Sequence, residues 1–519
     1  MAADLQFYLQ LVIILAAPLL LFAIAARRAG PRRHGNAAAA AAQRLPPGPW
    51  ALPIIGHLHH LAGALPHRAL RDLARRHGPL MTLRLGELPM VVASSPSAAR
   101  EVMKTHDAAF ASRPMSPMQE LAYQGSYGVI FAPHGEGWRQ IRKICALELL
   151  SARRVSSFRP IREDEARRLL RAVAAAADAA SPVNLSKGIA AYVADSTVRA
   201  IIGSRFARRD EYLRMLHEGL KILPGMTLPD LFPSSRLAML VSRAPRVITR
   251  HRDEMQRFID LIIEEHQKSR ASGDDDGEDE DLLDVLLRLQ KEVDSKSPLT
   301  TENIKIVMLD MFGAGSETAA STLQWVMAEL MRNPRVMQKA QDEVRRALSD
   351  HDTVTEDDLT NLHYLRLVIK ETLRLHPPAP LLLPRKCGTP CRVLGYDIPE
   401  GTTVIVNAWA ISRDPEHWDR PDEFVPERFE HGGRDFKGGD FEFTPFGAGR
   451  RMCPGMAFGL AHIELALAAL LFHFDWDLPG GVSAETLDMT EAFGVTTRRQ
   501  SALMVVPVMR VPVSTECIG

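Results

Sequence analysis

The chain has 519 residues, with 63 Lys and Arg against 63 Asp and Glu, so its formal net charge is zero and gives no reason to expect a nucleic-acid partner. Its five cysteines, Cys145, Cys387, Cys391, Cys453 and Cys517, are too few and too scattered for a disulfide framework, which excludes a small secreted scaffold and points to a reducing compartment. The Cys387 and Cys391 pair reads as incidental spacing. Length alone would allow three domains, but no linker divides the chain after its N-terminal region.

From Leu5 to Ala26 the sequence is nearly all apolar, broken by Gln6, Tyr8, Gln10 and Pro18, and is long enough to cross a bilayer as one helix. Arg27, Arg28, Arg32 and Arg33 follow, and positive charge on that side places it in the cytosol. Ala23-Ile24-Ala25 also fits a small-residue cleavage site. However, no basic segment precedes the run, and the run exceeds the apolar core of an ordinary signal peptide. The expectation is therefore a transmembrane signal anchor over residues 1–28. Residues 29–50 are read as a basic, alanine-rich linker ending in the stiff proline elbow Leu45-Pro46-Pro47-Gly48-Pro49-Trp50, and residues 51–519 as one domain.

Beyond Pro66 helical periodicity prevails, with short strands expected at Met81–Leu85, Met90–Ala93 and, after a Pro-Glu-Gly turn, Thr403–Val406. The fold class is accordingly mainly α with a minor β region. The acidic stretch from Asp274 to Asp281 reads as a solvated loop. Trp138 and Arg142, four apart, share a helix face and can both donate to one anion.

The segment from about Glu302 to Met331 predicts one long apolar helix with Gly313-Ala314-Gly315-Ser316-Glu317-Thr318 in its middle. Each glycine there costs about 1 kcal/mol relative to alanine, so a reason is needed. Small residues would let a flat ligand press against the backbone, and Thr318 could bond back to the carbonyl four residues earlier and open a local bulge. A packing dent between helices is the other explanation. Further on, Glu371 and Arg374 lie three apart, close enough to pair. His376-Pro377-Pro378-Ala379-Pro380 ends their helix, and the chain is expected to run extended through Leu381, Leu382 and Leu383 towards Pro384-Arg385.

Phe446-Gly447-Ala448-Gly449-Arg450-Arg451-Met452-Cys453-Pro454-Gly455 feeds a helix expected from about Met456 to Phe472. Cys453 therefore sits at a helix N-terminus, where free N–H groups, the helix dipole and nearby Arg451 would stabilise a thiolate. A zinc site needs three or four ligands, and no second cysteine lies near in sequence. One thiolate suffices where a porphyrin supplies the other four, and an axial cysteine favours O–O cleavage at haem iron. Gly447 and Gly449 would let this loop approach the porphyrin closely.

The spacing F-x-x-G-x-R-x-C-x-G resembles the haem-binding loop of the cytochrome P450 monooxygenases, and chance would match its five fixed residues in roughly one chain of this length in ten thousand. Other motifs fall in that family's order. The resemblance implies the cytochrome P450 fold, a single haem domain, and haem b held by Cys453 with Phe446, Gly447 and Gly449 in its loop. It also implies that Trp138, Arg142, Arg385 and Arg451 meet the haem propionates. Gly313 to Thr318 is similar to the A-G-x-[DE]-T motif, in which Thr318 would hold the bound oxygen in a hydrogen bond and Glu317, where many relatives have Asp, would help relay protons. Glu371, Arg374 and Arg428 of Pro426-Glu427-Arg428-Phe429 would form a buried structural network.

The resemblance is closest to plant microsomal members of specialised metabolism. It implies anchorage in the endoplasmic reticulum membrane with the body facing the cytosol, and electrons from NADPH through a separate reductase, since no Rossmann fingerprint occurs here. The reaction would be hydroxylation or epoxidation of a small hydrophobic substrate, a terpenoid with a diterpenoid favoured, and a phenolic or indolic compound stays open. Substrate-facing segments are expected at Phe110 to Phe131, Asp310 to Phe312, Ala379 to Leu383 and Phe493 to Val495. An oxygen-independent haem-thiolate isomerase or dehydratase, and a non-catalytic haem protein, stay open as alternatives.

Overall fold

A computed structural model describes residues 44–513 apart from 127, 204–207, 209–210, 213, 216–217, 220–225, 273–279, 292–298, 431 and 493. The expected anchor, most of the linker, Cys517, Phe493 and most of the acidic stretch lie outside the described residues. The chain divides into Met1–Arg44 and Leu45–Gly519, and the second unit carries the fold. The proline elbow belongs to that unit. Pro47 accepts from the Thr82 N–H at 2.7 Å, and a Cβ at Gly48 would lie 2.1 Å from the Thr82 carbonyl oxygen, so only glycine lets the elbow lie this close.

The principal helices are α1 (Pro66–His77), α2 (Glu136–Ile144), α3 (Arg159–Asp178), α4 (Leu185–Ile202), α5 (Ala244–Ser272), α6 (Leu282–Lys291), α7 (Thr301–Arg332), α8 (Pro334–Ala347), α9 (His363–Leu375) and α10 (Met456–His473). The strands used below are β1 (Leu80–Leu85), β2 (Leu88–Ala93), β3 (Arg385–Lys386), β4 (Thr403–Val406), β5 (Phe474–Asp477) and β6 (Met504–Met509).

β1 and β2 form an antiparallel hairpin, β4 adds parallel to β2 with Met90 opposite Thr403, and β3 closes the far edge antiparallel to β4. All four residues of β4 are buried, and after Thr403 the strand is apolar throughout, as a strand covered on both faces requires. β5 and β6 pair in a second small sheet.

α7 is the axis of the fold. Thr300 and Asn303 form a reciprocal capping box at its start. It ends at Asn333, where Pro334 takes the first position of α8 and lacks only an N–H that would be unpaired there anyway. Its buried side chains are distributed around the helix because it packs between α4 on one side and α10 on the other. α10 is apolar enough to cross a membrane by length and composition, but its residues fill the same core. Trp325 of α7 is fully buried, stacks on His376 with ring centroids 4.0 Å apart, and donates from Nε1 to the Thr497 carbonyl at 3.0 Å. Ser321 donates to the same carbonyl at 2.8 Å. Together they fix the turn carrying Val495 and Thr496 against α7.

Candidate active site

A cavity of about 460 Å³ lies between the middle of α7 and the loop that precedes α10, within the size range of small-molecule sites. Gly313, Ala314, Gly315 and Thr318 line one wall, and Phe446, Gly447, Cys453 and Gly455 line another.

The cysteine loop owes its shape to two glycines with φ of 69° at Gly447 and 70° at Gly449. A Cβ at Gly449 would lie 2.2 Å from the Met103 carbonyl oxygen, so a side chain is excluded there twice over. The Cys453 N–H donates to the Phe446 carbonyl at 2.9 Å and closes the loop. Cys453 lines the cavity and is exposed only in the company of those walls.

Its thiol does not match the sequence expectation. Burial pushes its pKa above the ordinary 9.0, and the Gly455 N–H and the charge of Arg142 offset this only partly. Arg451, expected to supply the favourable charge, is turned away. Its Nε donates to the Ala111 carbonyl at 2.6 Å, its Nη2 to the Ala132 carbonyl at 2.5 Å, and its Cζ lies 4.0 Å from the Trp138 ring centroid. A sulfur kept neutral by apolar surroundings is a poor free nucleophile, whereas coordination to a metal cation deprotonates a thiol outright.

Five arginines line the cavity: Arg252, which pairs with Asp253, and the four Arg113, Arg142, Arg385 and Arg451. Burial lowers the pKa of Arg451 to about 9, helped by the like charges of Arg385 and Arg142, and Arg113 is lowered by burial and then by Arg451 and Arg385. Asp107 opposes them, with Oδ1 3.3 Å from Arg385 Nη1 and Oδ2 2.9 Å from Arg450 Nη1, and Asp310 also lines the cavity. Buried cations in this excess fit an acidic ligand, as the two carboxylates of haem would be. Arg113, which donates to the carbonyls of Leu383 and Pro384 at 2.8 and 2.7 Å, was not anticipated. A lone arginine in a loop before Pro114 carries no spacing signal that could have singled it out.

Trp138 and Arg142 both line the cavity, and each donates to a different loop carbonyl. Trp138 Nε1 donates to the Val129 carbonyl at 3.0 Å and Arg142 Nη2 to the Met452 carbonyl at 2.5 Å. Among the described residues the two side chains share no protein acceptor.

On α7 the Thr318 hydroxyl donates to the Ala314 carbonyl at 2.7 Å, and Thr322 in turn donates to the Thr318 carbonyl at 3.0 Å. The expected bulge is not formed, since Thr301–Arg332 is α-helical throughout and accommodates the extra bond within its ordinary turn. A Cβ on Gly315 would approach Thr197 Cγ2 of α4 to 3.0 Å, so this glycine serves helix packing as well as the cavity. Glu317 lies outside the cavity lining and forms an ion pair with Arg498 at 3.3 Å; burial raises its pKa and Arg498 opposes the rise.

Behind this wall, Glu371, Arg374 and Arg428 meet. The Arg374 guanidinium grips the Glu371 carboxylate through two bonds of 2.8 Å, and Arg428 Nε reaches Glu371 Oε1 at 3.0 Å. Arg374 also donates to the carbonyls of Ser412, Pro421 and Glu423, tying α9 to the segment that leads to the cysteine loop.

The run after α9 is not simply extended. The Leu382 N–H donates to the Ala379 carbonyl at 3.0 Å and Leu382 takes a φ of 49°, a turn that brings its Cδ1 up to Gly447. Leu382 and Leu383 line the cavity, as do Tyr123, Phe131 and Met311. Phe110 and Phe312 do not: Phe110 packs in the core beside β2 and β4, and Phe312 lies against Tyr212 at 5.0 Å between ring centroids. Of the expected stretch Asp310 to Phe312, Asp310 and Met311 line the cavity and Phe312 does not.

The mainly helical body with one cysteine loop facing a threonine-bearing helix across an apolar cavity defines a haem-thiolate type of site. Residues 46–504 match the family model Cytochrome P450. The chain is 50% identical over 469 residues to dolabradiene monooxygenase from Zea mays, covering 90% of this chain and 92% of that protein. It is 48% identical over 482 residues to ent-isokaurene C2/C3-hydroxylase from Oryza sativa subsp. japonica, covering 91% and 94%. A solved zebra fish cytochrome P450 with abiraterone is similar at a TM-score of 0.72 and 25% identity, over 86% of this chain and 100% of that one. The chain belongs to the cytochrome P450 family and is a monooxygenase of that family.

Proposed function

We propose that the cavity takes haem b with Cys453 as the axial ligand, and that the protein oxidises a terpenoid, a diterpenoid in preference to smaller scaffolds. The observation that carries this reading is that Cys453, Thr318, Arg113, Arg142, Arg385 and Arg451 line one largely apolar cavity. Bound haem would supply dioxygen activation, with one oxygen atom inserted into a C–H or C=C bond and the other leaving as water.

The protein's own groups have separable tasks. Arg113, Arg142, Arg385 and Arg451 hold the carboxylates of the cofactor and offset their charge in a site where water is scarce. Thr318 presents Oγ1 at the cavity while its hydrogen rests on the Ala314 carbonyl, so it can release that bond and pass a proton inward. Glu317, paired with Arg498 and raised in pKa by burial, would be the proton store behind the helix. Apolar side chains such as Phe131, Met311 and Leu382 bind the hydrocarbon part of the substrate and exclude water.

Electrons would come from an NADPH-dependent reductase. The apolar run Leu5 to Ala26 followed by arginines supports a single-pass anchor in the endoplasmic reticulum membrane with the body in the cytosol. Relatives whose names specify dolabradiene and ent-isokaurene support the terpenoid class. Co-expression with a plant reductase, a reduced carbon monoxide difference spectrum and product screening on terpene scaffolds test the reading. A spectrum of the histidine-ligated type would refute it.

A further inference from the structure

Cys387 and Cys391, whose spacing carries no function of its own in the sequence, are brought together by the fold. Cys387 directly follows β3; its N–H donates to the Thr402 carbonyl at 2.9 Å and its carbonyl accepts from the Gly401 N–H at 2.8 Å. The chain bends at Gly388 and Thr389, and Cys391 then opens a short strand, Cys391–Val393, antiparallel to Tyr396–Ile398 with Cys391 opposite Ile398. The Cys387 Sγ lies 3.7 Å from the Ile398 carbonyl oxygen, so both cysteines converge on one residue of the facing strand. The two thiols share a hydrogen bond.

Cys387 is fully buried in the core beside β2 and β4, whereas Cys391 is partly exposed. Burial raises the pKa of both thiols, that of Cys391 to about 12 with Cys387 and Glu101 adding to the rise, while Glu400 adds to the rise at Cys387. The pair therefore rests as neutral thiols and reacts slowly. Its distinction is positional: an accessible sulfur touches a buried second one, so a first oxidation at the surface is resolved by the neighbour before it proceeds further.

We infer that Cys387 and Cys391 are a modification site, a dithiol that hydrogen peroxide closes reversibly to a disulfide. The Cys391 sulfur attacks one peroxide oxygen, the O–O bond breaks, one water leaves, and Cys391 carries a sulfenic acid. The Cys387 sulfur then displaces the hydroxyl group as a second water, and the S–S bond forms. Two thiols thus give up two electrons and two protons, and one peroxide becomes two waters. Two glutathione thiols reopen the bridge and leave as oxidised glutathione. The bridge staples the bend that follows Arg385, which lines the cavity and donates from Nη2 to the Ala448 carbonyl of the cysteine loop at 2.9 Å. None of this depends on the haem reading, because the readout is the mass of a peptide.

The test uses the full haem-loaded chain as wild type, Cys387→Ser and Cys391→Ser. Each is treated with hydrogen peroxide while folded, then denatured, alkylated and digested, and the peptide carrying both positions is weighed. Wild type should give a peptide lighter by two hydrogens, with alkylation of both cysteines lowered about tenfold and restored by glutathione. In Cys387→Ser, dimedone should trap Cys391 as the sulfenic acid, since the resolving sulfur is gone. In Cys391→Ser, Cys387 should remain open to alkylation because peroxide has no accessible sulfur to reach first. A wild-type peptide without the bridge overturns the inference, as does a bridge from either residue to Cys145, Cys453 or Cys517. So does a bridge that glutathione leaves closed, or loss of the Cys387 thiol in Cys391→Ser as fast as in wild type. Should Cys387→Ser not fold, wild type and Cys391→Ser decide by the same criteria.

Discussion

The Thr318 hydroxyl lies 2.7 Å from the Ala314 carbonyl oxygen, one turn earlier on the same helix, and both residues border the cavity that Cys453 faces. The bond satisfies the hydroxyl hydrogen locally and leaves the oxygen lone pairs for a partner in the cavity. Thr318→Ala is expected to keep the reduced carbon monoxide spectrum and to divert reducing equivalents into hydrogen peroxide, lowering product formed per NADPH by at least about tenfold; a proton-transfer group that nothing replaces is worth about 10²–10⁴-fold. Thr318→Ser should recover most of the coupling. Undiminished coupling in the alanine variant would remove Thr318 from the relay.

Cys453→Ala removes the sulfur but leaves the loop, whose shape comes from Gly447, Gly449 and the bond between the Cys453 N–H and the Phe446 carbonyl. The variant should fold and show neither the thiolate-type carbon monoxide spectrum nor turnover. Retention of that spectrum would place the ligand elsewhere.

Arg113 tests the charge reading of the cavity. After burial, the charges of Arg451 and Arg385 lower its pKa, and Arg385 lowers that of Arg451. In the haem-free protein, Arg113→Gln should be neutral or stabilising, because like-charge repulsion is relieved. In the loaded protein it should speed haem loss, by about tenfold for a lost charge-assisted bond. Transfer of haem to a scavenger protein measures this, and equal rates in variant and wild type would refute it.

Glu371 and Arg374 are both fully buried and joined by two bonds of 2.8 Å. Removing one partner strands the other, so Glu371→Ala should cost about 3–5 kcal/mol and yield little folded protein. Urea unfolding or recovery of haem-bearing protein reads this out. A loss below about 1 kcal/mol would mean that the carbonyls of Ser412, Pro421 and Glu423 already compensate Arg374.

Glu491 gives a pH prediction. Burial disfavours its charge, but the hydrogen bond and charge of His67 and the charge of Arg68 outweigh it and hold its pKa at about 2, against an ordinary 4.5. The folded value is depressed, so its contribution is complete above about pH 4.5 and is lost as pH falls towards 2. On the order of 3 kcal/mol should disappear across that window in wild type, and Glu491→Gln should flatten the dependence there. Parallel acid-unfolding profiles for the two proteins would contradict this.

The helices were legible because their apolar period and end signals are local. Thr300 before α7 and Pro334 after it each act within a few residues of where they stand. The spacing around Cys453 was legible for the same reason, since a loop that must present one sulfur beside a cofactor constrains consecutive residues. Glu371 and Arg374 could be paired from their separation on a helix, whereas the partnership with Arg428 came only from family resemblance.

What only the tertiary structure decided are relationships between distant segments, where burial changes the chemistry of a residue. Arg113 joins the cationic cluster through a loop that has no motif, and Asp310 reaches back 180 residues to the Ile130 N–H. Arg451 turns to the Ala111 and Ala132 carbonyls instead of to Cys453, and the buried sulfur is raised in pKa where its place before a helix suggested the opposite. Sequence fixes which groups are available and how neighbours along a helix face one another. Desolvation and the choice among competing acceptors depend on everything packed around a group, and those neighbours exist only once the chain has folded.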